Sequence, residues 1–176
     1  MIFYFTATGN SLYVAKQLDD KRRSIAQAIH DSKRTYKADK IGIVAPIYGH
    51  EVPEIVKEFL EGSKFETDYF YMILTYGNRH GGAAELAKKM LEKINIHPSY
   101  INIILMVDNY LSGFDMDEQR KIDKKVDEQL IKIKADIESG REYISPVSDK
   151  DRAAHHEYLS RVKAMPEGKF DLKYQV

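Results

Sequence analysis

Four short, almost unbroken apolar runs punctuate the chain, at Ile2–Phe5, Ile41–Ile47, Tyr69–Thr75 and Ile101–Val107, and each is followed by a segment with helical spacing. A strand with one solvated face alternates apolar and polar residues. These runs do not alternate, so they predict strands covered on both faces. Their length and their Ile, Val, Tyr and Phe content favour strand over buried helix. Behind the second run, Val52, Ile55, Val56, Phe59 and Leu60 repeat with helical period, and Pro53 suits a first helical turn. Ala83, Leu86, Ala87, Met90, Leu91 and Ile94 do the same after the third run, entered through Gly81-Gly82. After the fourth, one longer helix is predicted to carry Ile122, Val126, Leu130, Ile133 and Ile137, with a capping box from Asp115 and Glu118 and a stop at Gly140. The first run enters a helix bearing Leu12, Val14, Ala15 and Leu18.

Between residues 20 and 40 the signal is weaker. Ser24-Ile25-Ala26 reads as a short edge strand and Asp31–Lys40 as a polar loop. Right-handed crossovers over a parallel sheet then give a doubly wound, three-layer α/β sandwich with five strands in the order 2-1-3-4-5. At 176 residues the chain is about one domain long. This pattern occupies residues 1–143. Residues 144–176 change character, with Pro146, Pro166, Gly168 and one polar helical candidate, Asp149–Met165, whose packing residues are Leu159, Val162 and Tyr158. An appendage rather than a separate domain is expected there, docked on the sheet, contacting a partner or partly mobile.

Lys+Arg and Asp+Glu number 27 each, so no overall field draws the chain to nucleic acid or an anionic membrane. The absence of cysteine excludes a disulfide framework, a thiolate nucleophile and an iron–sulfur cluster held by this chain. No run approaches the roughly 20 apolar residues of a membrane span. Met1–Phe5 is too short for a signal peptide and has no basic leader, which leads to the expectation of a cytoplasmic protein. His155 and His156 are adjacent, face different directions on a helix, and are read as surface residues rather than metal ligands.

In sheets of this kind ligands bind outside the carboxyl ends of the strands, where the strand order reverses. Three loops at that edge are unusual. Thr6-Ala7-Thr8-Gly9-Asn10-Ser11 offers hydroxyls, an amide and a glycine just before a helix N-terminus, whose unpaired N–H groups and positive dipole end suit a phosphate. It has neither the lysine of a P-loop nor the spacing of a dinucleotide site, and the same residues also suit an ordinary capped turn. Pro46-Ile47-Tyr48-Gly49-His50-Glu51 presents an aromatic ring to lay over a planar ligand, or a half-buried tyrosine in a turn. His50 there is either a ring contact, a guard at the entrance or a solvated loop histidine. Thr75-Tyr76-Gly77-Asn78-Arg79-His80-Gly81-Gly82 places three glycines in eight residues, letting backbone N–H groups converge beside Arg79 and His80. The conjunction matters, because all three loops converge on one sheet edge.

At these residues the chain resembles the flavodoxin family. Thr6–Ser11 is similar to the phosphate motif T-x-T-G-N-[ST] that follows the first strand of flavodoxins, and the likeness extends through the Tyr48-Gly49 and Thr75–Gly82 loops, over roughly residues 1–140. Phe5–Ser11, Pro46-Ile47-Tyr48 and Asp108-Asn109-Tyr110 look most like the flavodoxin modules of proteins that fuse a flavodoxin to a bacterial ferredoxin. Those proteins continue into a cysteine-rich cluster domain. This chain has no cysteine and reaches Phe170–Val176 about where that domain would begin, so the ferredoxin is either a separate partner or lost.

The resemblance implies a flavodoxin-like sandwich that binds flavin mononucleotide (FMN) and transfers electrons to a redox partner protein. The phosphate would sit in Thr6, Ala7, Thr8, Gly9, Asn10 and Ser11. The isoalloxazine would lie between Pro46, Ile47, Tyr48 and Gly49 on one side and Thr75, Tyr76, Gly77, Asn78, Arg79 and Gly82 on the other. Flavin carries the chemistry, so no catalytic side chain is expected. By the resemblance, Gly49 is the residue whose peptide turns toward the flavin N5. The neutral chain and Arg79 differ from the acidic surroundings usual in flavodoxins and point to a raised potential. Three further readings stay open: an NAD(P)H-dependent flavin or quinone reductase, a flavodoxin-like activator of ribonucleotide reductase suggested by Gly77-Asn78-Arg79, and a module for another phosphorylated ligand.

Overall fold

The computed structural model describes residues 1–108 and 115–165, apart from the side chain of Arg120. Asn109, Tyr110, Pro166, Gly168 and Phe170–Val176, all used in the sequence reading, lie outside the described residues.

The four apolar runs form strands β1 (Ile2–Tyr4), β4 (Lys40–Pro46), β6 (Tyr69–Tyr76) and β7 (Tyr100–Leu105). Along β6, Phe70, Met72 and Leu74 face one core while Tyr69, Tyr71 and Ile73 face the other. That two-sided burial is why the run does not alternate in hydropathy. One core takes in helices α2 (Ile25–Ala28), α3 (Glu54–Glu61) and α4 (Ala83–Lys93); the other takes in α1 (Asn10–Leu18) and α6 (Val126–Glu138). The molecule is thus a parallel-sheet α/β sandwich of three layers.

The sheet has six strands, not the five expected. Its order is β2 (Arg22–Ser24), β1, β4, β6, β7 and β8 (Tyr143–Ile144), with every pairing parallel. The sixth strand pairs Tyr143 and Ile144 with Tyr100 and Ile101. Two residues are too few to show a period, and neighbouring Ser145 is fixed by donating to Asn102 Oδ1 (2.9 Å).

The weak region is also corrected. The edge strand ends at Ser24, and Ile25 and Ala26 open α2 with Ile25 fully buried. The expected polar loop contains β3 (Thr35–Lys37), which pairs with β5 (Lys64–Glu66) in a small second sheet. Only Tyr36 of β3 points inward, against Phe3 (centroids 4.5 Å apart), so a single apolar residue was all the signal available.

The predicted long helix is two. Asp115 caps α5 (Met116–Lys121) by accepting from Asp117 N (2.8 Å), while Glu118 pairs with Lys121 (2.6 Å) instead of closing a box. Lys125 then turns to φ 50 before α6 begins, and Ile122 stays 47% exposed. The break serves Gln129, whose side chain accepts from Leu105 N (3.0 Å) and donates to Leu105 O (3.1 Å) and Lys124 O (2.7 Å), ending β7 on a side chain. Helix α7 (Asp149–Lys163) falls within the predicted polar helix and starts from a full capping box between Ser148 and Asp151. It has no buried residue; Tyr158, Leu159 and Val162 remain exposed. No described helix is long and apolar enough to cross a membrane.

Candidate functional site

The carboxyl ends of β1, β4 and β6 open on a cleft of about 750 Å³, within the range of small-ligand sites. The first loop contributes Thr6, Ala7, Thr8, Asn10 and Ser11; the second Pro46, Ile47 and Tyr48; the third Thr75, Tyr76, Gly77, Asn78 and Arg79. Gly9, Gly49 and Gly82 do not line it. They hold the backbone instead, at φ 100, 58 and 82 respectively. Val107, Asp108 and Tyr158 also line the cleft, although composition and spacing single out none of them as site residues. Asp108 sits within the Asp-Asn-Tyr resemblance, and Val107 ends a predicted strand. Tyr158 had no usable signal, since its position depends on how α7 returns across the sheet.

The first loop is folded by its own side chains. Gly9 N donates to Thr6 Oγ1 (2.9 Å), and Asn10 Nδ2 donates to Val107 O (2.9 Å), tying the start of α1, which follows β1, to the end of β7, three positions away in the sheet order. Ser11 and Thr75 are buried, with their hydroxyls 2.9 Å apart. No side chain caps α1, its first turn has no acidic residue, and a Cβ placed on Gly9 would meet nothing within 4 Å. Among the described residues, then, no side chain caps the positive end of this helix. Hydroxyls and N–H groups in a first turn with no acidic residue of its own fit a phosphate, although Asp108 also lines the cleft.

The second loop is a tight hairpin. Tyr48 N donates to Glu51 O (2.8 Å) and Glu51 N to Tyr48 O (3.0 Å), with Gly49 and His50 between them both at positive φ. Mirror-image turns of this type require positive φ at both central positions. The turn presents the Tyr48 ring, 48% exposed, at the cleft mouth. Burial of the hydroxyl end raises the Tyr48 phenol above its ordinary pKa.

His50 points the other way and is 8% exposed, which corrects the solvated alternative. Its ring fills the space over Gly81, where a Cβ would lie 2.1 Å from His50 Cγ. Its Nδ1 is 3.4 Å from Nδ1 of His155. His155 is therefore half-buried against a loop rather than a free surface residue. Burial lowers the His50 pKa, and His155, Arg79 and His80 push the same way against Asp151. No group of three His, Cys, Asp or Glu able to hold a metal occurs among the described residues.

In the third loop Gly77 packs on Asp108, whose Cα would be 2.6 Å from a Cβ at position 77. Tyr76 meets His80 edge-on (5.2 Å) and is raised in pKa by burial and then by Asp151. Arg79 is exposed and is the only Lys or Arg among the described residues that line the cleft.

No curated protein matches the sequence. Among solved structures, two-electron reduced flavodoxin of Megasphaera elsdenii is 22% identical (TM-score 0.45), with the match covering 61% of this chain and 88% of that one. NAD(P)H:quinone oxidoreductase from Methanothermobacter marburgensis is 10% identical (TM-score 0.48; 80% and 95% covered). The Trp repressor binding protein of Bacillus subtilis is 11% identical (TM-score 0.42; 60% and 83% covered). Residues 1–104, more than half of the chain, match the family described as Flavodoxin domain, and the chain belongs to that family.

Proposed function

We propose that the chain is an FMN-binding protein of electron transfer, acting in the cytoplasm with a protein redox partner such as a ferredoxin. The observation that carries this reading is the union of an uncapped, acid-free helix N-terminus with an aromatic-lipped cleft at one sheet edge. Thr6, Thr8 and Ser11 with the first N–H groups of α1 would hold the phosphate. Tyr48 and the Tyr76–Arg79 loop would hold the ring system.

When bound, FMN supplies the one- and two-electron chemistry that no side chain here provides. The protein's part is placement. The Ser11–Thr75 hydrogen bond fixes the floor, the Gly49-His50 turn fixes Tyr48, and Gly77 lets the third loop approach Asp108 closely. Arg79 adds a positive charge at the mouth, where it favours a ligand that becomes more negative on reduction. The assignment of the Gly49 peptide to the flavin N5 belongs to this proposal, as does the likeness to the flavodoxin modules of flavodoxin–ferredoxin fusion proteins. Arg79 also favours a second reading, an NAD(P)H-dependent FMN or quinone reductase, because a cation at the mouth suits an anionic electron donor.

The deciding experiment is the visible spectrum of the purified protein, and of its apo form after addition of FMN. Bound oxidised flavin is expected, with stepwise dithionite reduction. Failure to take up FMN at millimolar excess overturns the reading. Steady-state NAD(P)H oxidation with a quinone acceptor separates the carrier from the reductase.

A further inference from the structure

Among the described residues that line the cleft, Tyr158 is the one that comes from neither a strand end nor the segment directly after one. It rides on α7, a fifteen-residue helix with no buried side chain. Such a helix is positioned by a few specific contacts, and those of α7 reach both rim loops. Asp151 Oδ1 faces His80 Nε2 (3.6 Å), His155 faces His50 (3.4 Å), and the Tyr158 ring packs on the His50 ring with centroids 4.9 Å apart. Arg152 adds an ion pair to Glu85 on α4 (3.0 Å). The His50-bearing turn and the His80-bearing loop are thereby bridged by one helix.

Position 49 shows how closely that helix approaches. A Cβ there would lie 2.5 Å from the Tyr158 hydroxyl oxygen and 3.1 Å from Cζ. Glycine at 49 is thus required twice, once by its φ of 58 and once by the tyrosine above it. The ring lies over Gly49, lines the same cleft as Tyr48, and is left 37% exposed. Two partly exposed aromatic rings at one lip offer apolar, polarisable surface for a flat ligand to cover.

We propose that Tyr158 is part of the flavin site: its ring packs against the isoalloxazine end of the ligand, so that α7 completes the site rather than flanking it. This rests on the FMN reading above. It gives residues 149–163 a binding role, and it makes the ring end of the cleft, not the phosphate end, depend on them. A contact to the ring system treats FMN and riboflavin alike, whereas a contact to the phosphate does not.

The test uses the full-length apo-protein titrated with FMN and with riboflavin, followed by flavin fluorescence and by visible circular dichroism of the bound flavin. Tyr158→Ala is expected to weaken both ligands by the same factor, about tenfold, and to change the visible dichroism. Tyr158→Phe should stay within about twofold of wild type. Tyr158→Leu keeps apolar bulk on α7 without a ring and carries the test should the alanine variant unfold. Wild-type affinity and dichroism in the ringless variants overturn the proposal while leaving FMN binding intact. A wild-type protein that binds neither flavin overturns the functional reading, and this inference with it.

Discussion

The hydroxyls of Ser11 and Thr75 lie 2.9 Å apart beneath the cleft, both buried, and join the first turn of α1 to the end of β6. Each is the other's partner in a place that water reaches poorly. Thr75→Val leaves the Ser11 hydroxyl without that partner and should cost about 1–2 kcal/mol of unfolding free energy. Ser11→Ala combined with Thr75→Val removes both hydroxyls, so the double variant should lose less than the sum of the two single losses. Urea unfolding of the four proteins measures the coupling. Strict additivity would show that the two hydroxyls do not support one another.

That pair also shows what was legible in the sequence. Ser11 lies in the loop after the first apolar run and Thr75 ends the third, and parallel topology brings such ends to the same sheet edge. Two-sided burial made the runs readable: Tyr71 and Met72 face opposite cores, so neither position could be polar. Features fixed by a single side chain were not readable. Beside the break between α5 and α6, Gln129 binds backbone groups of Leu105 and Lys124, which no periodicity records. Tyr36 alone marks β3, and Tyr143-Ile144 is too short to mark β8. Tyr158 reached the cleft through a return of the chain that local spacing does not encode.

His50 should make stability depend on pH. Burial holds its imidazole below the ordinary pKa of 6.5, helped by His155, Arg79 and His80 and opposed by Asp151. The unfolded chain then binds a proton more readily than the folded one. The contribution is complete above about pH 6.5 and is lost as the pH falls from there through the lower folded value. The urea midpoint should therefore drop between pH 7.5 and 5.5. His50→Asn, which tolerates the positive φ, should flatten that drop. An unchanged slope in the variant would assign the pH dependence to other groups.

Gly42 and Tyr71 are direct neighbours across β4 and β6, and the tyrosine ring lies where a Cβ of residue 42 would be, 2.1 Å from Cζ. Both residues are buried. A methyl group here has no free volume to enter, so Gly42→Ala must move the ring or the strand. A loss of about 1–3 kcal/mol is expected from overpacking, read from thermal or urea unfolding. Relief by Tyr71→Leu in the Gly42→Ala background would trace the loss to this contact; equal losses in both backgrounds would place it elsewhere.

On the FMN reading, Arg79 bears on electron affinity rather than stability. It is exposed, lines the cleft, and lies between Gly77 and Gly81 in the loop after β6. Flavin that gains its last electron becomes more negative, and a nearby guanidinium favours that state more than the oxidised one. Removing it in Arg79→Ala should lower the corresponding potential by about 10–40 mV, the modest range reflecting solvent screening of an exposed charge. Arg79→Lys keeps the charge and should recover most of the shift. Spectroelectrochemical titration of the three FMN-loaded proteins at low and moderate salt reads the effect, and added salt should shrink it. Identical potentials in wild type and Arg79→Ala would show that the guanidinium is directed away from the bound ring.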